Sequence, residues 1–158
     1  MDIRKIRHYD GKETRVTFEE ATKDETEERT RTSRHAPEKS FVDALQAFLP
    51  LLVASCDLGD AWAKSGVITG LTFGEERAKG GGTRFNLMLH ARHTPSGHSA
   101  PILFNSPLMH EARDEKEIGK PGYVPSDWDD AIDEVKKQAI RFLQGKRQQA
   151  DLPLAPAA

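Results

Sequence analysis

Ile3-Arg4-Lys5-Ile6-Arg7-His8-Tyr9-Asp10-Gly11-Lys12-Glu13-Thr14-Arg15-Val16-Thr17-Phe18-Glu19-Glu20-Ala21 opens the chain and decides the fold class. Ile3–Tyr9 predicts a strand, and Asp10-Gly11 is a strong hairpin signal because the favoured two-residue turn needs positive φ. Arg15–Ala21 returns with Val16 and Phe18 on one face. A second turn falls near Lys23-Asp24-Glu25. Thr26–Arg34 then predicts a third strand that carries no apolar side chain. A strand of that composition belongs at a sheet edge, where charge discourages pairing with other molecules.

Helical spacing follows. Pro37 suits a helix entry, and Phe41, Leu45, Phe48, Leu49 and Leu52 recur on one stripe. Pro50 should kink or divide this helix near Leu49. Gly59 marks its stop, and Trp62 falls in a link or short turn. Val67–Phe73 alternates again, as do Phe85, Leu87, Leu89 and Ala91 beyond the Gly80-Gly81-Gly82 loop. Pro101–Asn105 is a short apolar strand after the Pro95-Ser96-Gly97 turn. Leu108 to Pro125 is charged and predicts a long loop. Ser126 suits the N-cap of a second helix, with Asp127, Asp129 and Asp130 in the turn where the helix dipole favours them. Trp128, Ile132, Val135, Ala139, Phe142 and Leu143 form its stripe, and Gly145 ends it.

The order strand-strand-strand-helix therefore occurs twice. The expected fold is α+β: two βββα units forming a curved antiparallel sheet with two helices on one face. Residues 1–145 are expected to form a single domain, divisible at most into halves 1–60 and 61–145, and 146–158 a flexible tail.

Composition narrows the function. The chain has 158 residues, 37% hydrophobic and 30% charged, with a net charge of −2. That balance argues against a strongly basic nucleic-acid binder while leaving room for a local basic patch. One cysteine, Cys56, excludes an internal disulfide and fits a reducing compartment. No apolar run is long enough for a membrane span, and Met1-Asp2-Ile3-Arg4-Lys5 does not open a signal peptide. A cytoplasmic protein with no membrane partner is expected.

Catalytic settings are not evident. His90, His93, His98 and His110 surround one hairpin, but His90 and His93 are three apart on a strand and point to opposite faces, so surface histidines are expected and no metal site. Gly80-Gly81-Gly82 joins two strands and lacks the Lys and Ser or Thr of a phosphate loop. Asp127, Asp129, Asp130 and Asp133 are explained by their helix N-terminus, and Cys56 by packing. Glu25-Glu27-Glu28 and Glu111-Asp114-Glu115-Glu117 are read as solvated faces. No enzyme and no cofactor is expected. Arg4 and Arg7 lie on the first strand, with Lys5 and His8, and Arg29, Arg31 and Arg34 on the third. If these strands flank the second, some of those side chains share a sheet face, with Tyr9 at its edge. Such a face could hold single-stranded DNA by phosphate contact and stacking. Glu19, Glu20, Glu27 and Glu28 stand close enough in sequence to neutralise it.

The last residues carry the most specific signal. Gln149-Ala150-Asp151-Leu152-Pro153-Leu154 resembles the clamp-binding peptide of bacterial replication and repair proteins. Those peptides have Gln first, a small or aliphatic residue second, Ser or Asp third and Leu fourth, and close on Leu or Phe with or without an inserted Pro. The resemblance covers six residues and implies a partner, the bacterial sliding clamp. On it, Gln149 fixes orientation, Asp151 stands at the third position, Leu152 and Leu154 fill apolar pockets, and Pro153 limits the freedom lost on docking. Two such anchors and one amide suggest about micromolar binding.

Met1-Asp2-Ile3-Arg4-Lys5-Ile6-Arg7-His8-Tyr9-Asp10-Gly11, Pro101-Ile102-Leu103-Phe104-Asn105-Ser106-Pro107 and Gly145–Leu152 also resemble small tailed-phage proteins of replication and recombination modules. That likeness implies a phage or prophage origin and the host bacterial cytoplasm. The expected function is a non-enzymatic accessory protein that binds the host clamp, to be recruited or to inhibit. Alternatives are a single-stranded DNA-binding or annealing protein, and an inhibitor of a bacterial defence system.

Overall fold

The computed structural model describes residues 1–148. The expected clamp-binding residues Gln149, Asp151, Leu152, Pro153 and Leu154 lie outside the described residues.

The opening hairpin forms as β1 (Asp2–Tyr9) and β2 (Glu13–Ala21), with Gly11 at φ 71° in the turn. Ile3, Ile6, Val16 and Phe18 are buried on one face. β3 (Thr26–Ser33) pairs with β2 only, as an exposed edge. The unpaired side of β1 then receives β4 (Val67–Arg77), which pairs with β5 (Thr83–His93). The fold is α+β, with sheet order β3-β2-β1-β4-β5-β7-β8 and β6 also on β5.

β6 (Ile102–Asn105) and β7 (Met109–Glu111) share the outer edge of β5, β6 along His90–His93 and β7 along Asn86–Leu87. Pro107, which has no N–H to give a ladder, separates them. At the gap, the Ser106 backbone N–H donates to the Leu89 carbonyl at 2.8 Å, and its hydroxyl accepts from the Leu89 N–H at 2.8 Å. β7 pairs in parallel with β8 (Tyr123–Val124). The stretch 108–125 is thus not a plain loop, and the second half holds five strands, one of them parallel, rather than three. The regular doubling of βββα is corrected accordingly.

Pro50 divides the first helical stripe into α1 (Lys39–Gln46) and α2 (Leu49–Ser55), where it sits in the first turn and no N–H is needed. Trp62 lies in a short helix, α3 (Asp60–Ser65), with its ring 5.3 Å from that of His93 and 5.7 Å from that of Phe104. Ser126 does not cap the last helix with its side chain. Ser126–Trp128 form a 3-10 turn that packs Trp128 on Phe48 at 5.7 Å, and α4 (Asp129–Leu143) follows. At its other end Gly145 (φ 89°) lets the Lys146 N–H reach the Arg141 carbonyl and the Gly145 N–H the Phe142 carbonyl, both at 3.0 Å. This pair of bonds satisfies carbonyls that a helix end otherwise leaves open.

α1, α2 and α4 supply Phe41, Leu45, Phe48, Leu52, Val135, Ala139 and Phe142 to one core against the apolar face of the sheet. The other face carries mostly polar and charged side chains and, among the described residues, has no helix over it. Among the described residues, no helix is long and apolar enough to cross a membrane.

Candidate nucleic-acid interface

The register assigns each arginine to a face. Phe18 stands opposite Arg29 and Val16 opposite Arg31. Directly opposite residues of an antiparallel pair share a face, so both arginines lie on the helix side of β3. There Arg31 donates to the Leu143 carbonyl at the end of α4, where helix carbonyls lack partners. Arg29 pairs with Glu27 at 2.8 Å and Glu20 at 3.8 Å. Arg34 follows the strand and is exposed. Arg29 and Arg31 therefore do not share the face of Arg4 and Arg7, and the register does not assign Arg34. A strand without apolar residues gives no sign of which side faces in until its partner does.

Arg4 has a different task. Asp2, Glu19 and Glu28 stand in cross-strand succession at one end of β1, β2 and β3. Arg4, at a bulge in β1, meets Glu19 at 2.8 Å, Asp2 at 3.2 Å and Glu75 at 3.7 Å. The Glu19 hydrogen bond leads the effects that raise its pKa above the ordinary arginine value. Arg4 neutralises an acidic rim and is not free for a phosphate.

The opposite end of the open face is basic. Arg15, Arg7, Gly70, His90 and Asn105 stand opposite one another in turn, a row across β2, β1, β4, β5 and β6. Lys5 and Thr17 lie in the next row, beside Thr72 of β4 and Thr30 of β3. Among the described residues, Lys5, Arg7, Lys12 and Arg92 make no ion pair, whereas Arg15 pairs with Glu13 at 2.6 Å. The Arg7 side chain lies over Gly70: a Cβ on that glycine would stand 2.4 Å from the Ile6 carbonyl oxygen and 2.8 Å from Arg7 Cδ. Glycine here clears a bed for the guanidinium. Burial lowers the Arg7 pKa from its ordinary value, so an arriving anion would find a cation already stripped of part of its water.

His98 is exposed at the Pro95-Ser96-Gly97 turn as expected, but His90 and His93 are buried. His8 is buried and pairs through Nδ1 with the Thr14 hydroxyl at 2.9 Å. His93 faces the helices and meets Ser65 at 2.9 Å. His90 lies on the open face, with Nε2 2.8 Å from the Thr72 hydroxyl and Nδ1 2.6 Å from Asn105 Oδ1. Burial first, then Arg7 and Lys5, pushes its pKa down, against the raising effect of Asn105. The shift favours the neutral ring, in which Nδ1 donates to Asn105 Oδ1 and Nε2 accepts from Thr72. That leaves the Asn105 NH2 turned away from the ring.

The acidic run 111–117 is also less solvated than its composition implies. Glu117 accepts from Arg84 at 2.9 Å, and Glu111 accepts from the Phe85 N–H at 3.2 Å. Arg84 also binds Glu76 at 2.8 Å, and Glu76 takes a short hydrogen bond from His110 that holds its carboxyl below the usual range. This network fastens β7 and β8 to the hairpin of β4 and β5.

Sequence reasoning found Arg7, Lys5 and Tyr9 but missed Arg15, Arg92, His90 and Asn105 as their neighbours. The missing signal was the adjacency of β1 and β4, which joins the two halves of the chain. No family model matches the chain, and neither a curated protein nor a solved structure matches it.

Proposed function

We propose that this chain is a non-enzymatic accessory protein of DNA replication or recombination that binds the bacterial sliding clamp through Gln149-Ala150-Asp151-Leu152-Pro153-Leu154. The observation that carries the reading is the hexapeptide itself, which begins directly after the last described residue. Support also comes from what precedes it. Gly145 stops α4, and the Gln148 N–H bonds the Ala36 carbonyl at 2.9 Å, so the last described residue lies beside the entry to α1. A titration of purified clamp with the full chain tests the reading. Saturable binding of about micromolar strength is expected, and no binding at a hundredfold higher concentration would remove it.

A second reading has its own observation. The open basic end of the sheet, with Lys5, Arg7 and Arg92 in no ion pair among the described residues and Tyr9 42% exposed beside them, suits single-stranded DNA. Phosphates would sit on the cations and a base on the ring. This face is on the opposite side from the helix layer, so clamp and strand could be held together. The expected result is salt-sensitive retention on single-stranded DNA, with Lys5→Glu plus Arg7→Glu flattening the salt slope. About 0.7 of slope is lost for each phosphate contact removed. Retention that ignores salt, or survives both reversals unchanged, would exclude it. Arg29 and Arg31 are not suitable positions for this test, because both face the helix layer.

A further inference from the structure

At the basic end of the open face, β1 and β6 stand on either side of a depression floored by β4 and β5. Its volume is about 300 Å³, at the small end of the roughly 300–1,000 Å³ typical of ligand sites. Arg7, Lys12 and Arg92 line it with one carboxylate, Asp10. None of the three cations has an ion-pair partner among the described residues, so the site carries an unmet demand for negative charge. Its walls are unlike those of a plain phosphate patch. Tyr9 lines one side and Leu103, 75% exposed, the other. Leu103 offers an apolar wall on edge strand β6, facing the ring of Tyr9 across the depression. On the floor, His90 holds the Asn105 amide oxygen, which leaves the NH2 as a donor for a polar edge. Cation, exposed aromatic, exposed aliphatic and fixed amide together match a flat heterocycle joined to a phosphate.

We propose that this depression is a binding site for one phosphate-bearing nucleotide, its base between Tyr9 and Leu103 and its phosphate on Arg7 and Arg92. The inference rests on the single-strand reading only in so far as that nucleotide belongs to a strand; a free nucleotide presents the same chemistry.

The test is fluorescence anisotropy of a labelled thymidine oligonucleotide of about ten residues on the full chain. Competitors are thymidine 5′-monophosphate, thymidine and inorganic phosphate. The monophosphate should compete, while thymidine and phosphate at the same concentration should not. Tyr9→Ala and Leu103→Ser should each weaken monophosphate binding about tenfold, as loss of one stacking surface does, and Tyr9→Phe should restore it. Both positions are exposed, so thermal unfolding should be unchanged. If the oligonucleotide binds but the monophosphate does not compete and neither variant matters, the pocket is overturned and the single-strand reading stands. If the oligonucleotide does not bind but calorimetric titration with thymidine 5′-monophosphate shows saturable binding, the pocket stands and the single-strand reading falls. If neither binds, both fall.

Discussion

Replacing Phe142 with alanine destabilises the fold by about 3–5 kcal/mol, the usual cost of truncating a fully buried aromatic. Domains of this kind are held by roughly 5–15 kcal/mol in all, so the variant stands close to unfolding at 37 °C. Phe142 is 1% exposed and meets the Phe41 ring at 5.7 Å, joining the two longest helices over the sheet. The Arg147 guanidinium lies 3.5 Å from the ring centroid on the chain's way out of α4. Few neighbours can collapse into the space, since Val135, Ala139, Leu45 and Phe48 already fill the same layer. Urea denaturation reads the effect as a fall in midpoint with the slope nearly unchanged. A midpoint no lower than that of Lys39→Ala, on the exposed side of α1, would contradict the packing.

Leu152→Ala with Leu154→Ala acts on the partner rather than on the fold. If both leucines enter apolar pockets of the clamp, each contributes roughly 1.5–3 kcal/mol. Their joint loss would weaken an affinity near −8 kcal/mol by about 10² to 10⁴-fold, beyond detection in most titrations. Urea unfolding of the free protein should not move if both leucines serve the partner alone. Wild-type affinity in the double variant would show that the resemblance of the hexapeptide is accidental.

Much of the fold was legible because local rules and tertiary contacts agree. Asp10-Gly11 and the alternation around it announce β1 and β2, and Pro50 announces the break between α1 and α2. The bare polarity of Thr26–Ser33 announces an edge. β7 and β8 were not legible. At three and two residues they are too short to show a period, and their pairing is fixed by contacts such as His110 N–H to the Gly122 carbonyl at 2.9 Å.

The candidate face was legible only in part, for a similar reason. Arg29 and Arg31 alternate with polar neighbours, so nothing in β3 alone tells inside from outside. The face is assigned by Phe18 and Val16 on the next strand. Arg7 was found from its own strand, but its bed at Gly70 and its neighbours His90 and Asn105 lie more than sixty positions away. They become visible only when β1 pairs with β4. The clamp peptide is the reverse case. Its signal lies wholly in consecutive residues, and contacts within the described fold add nothing to it.

The most direct measurement is calorimetric titration of purified bacterial sliding clamp with the full chain and with the same chain ended after Gln148. The full chain should bind at about micromolar strength, and the shortened chain, still folded, should release no heat of binding. Equal binding by both, or none by either, would contradict a role carried by those last residues.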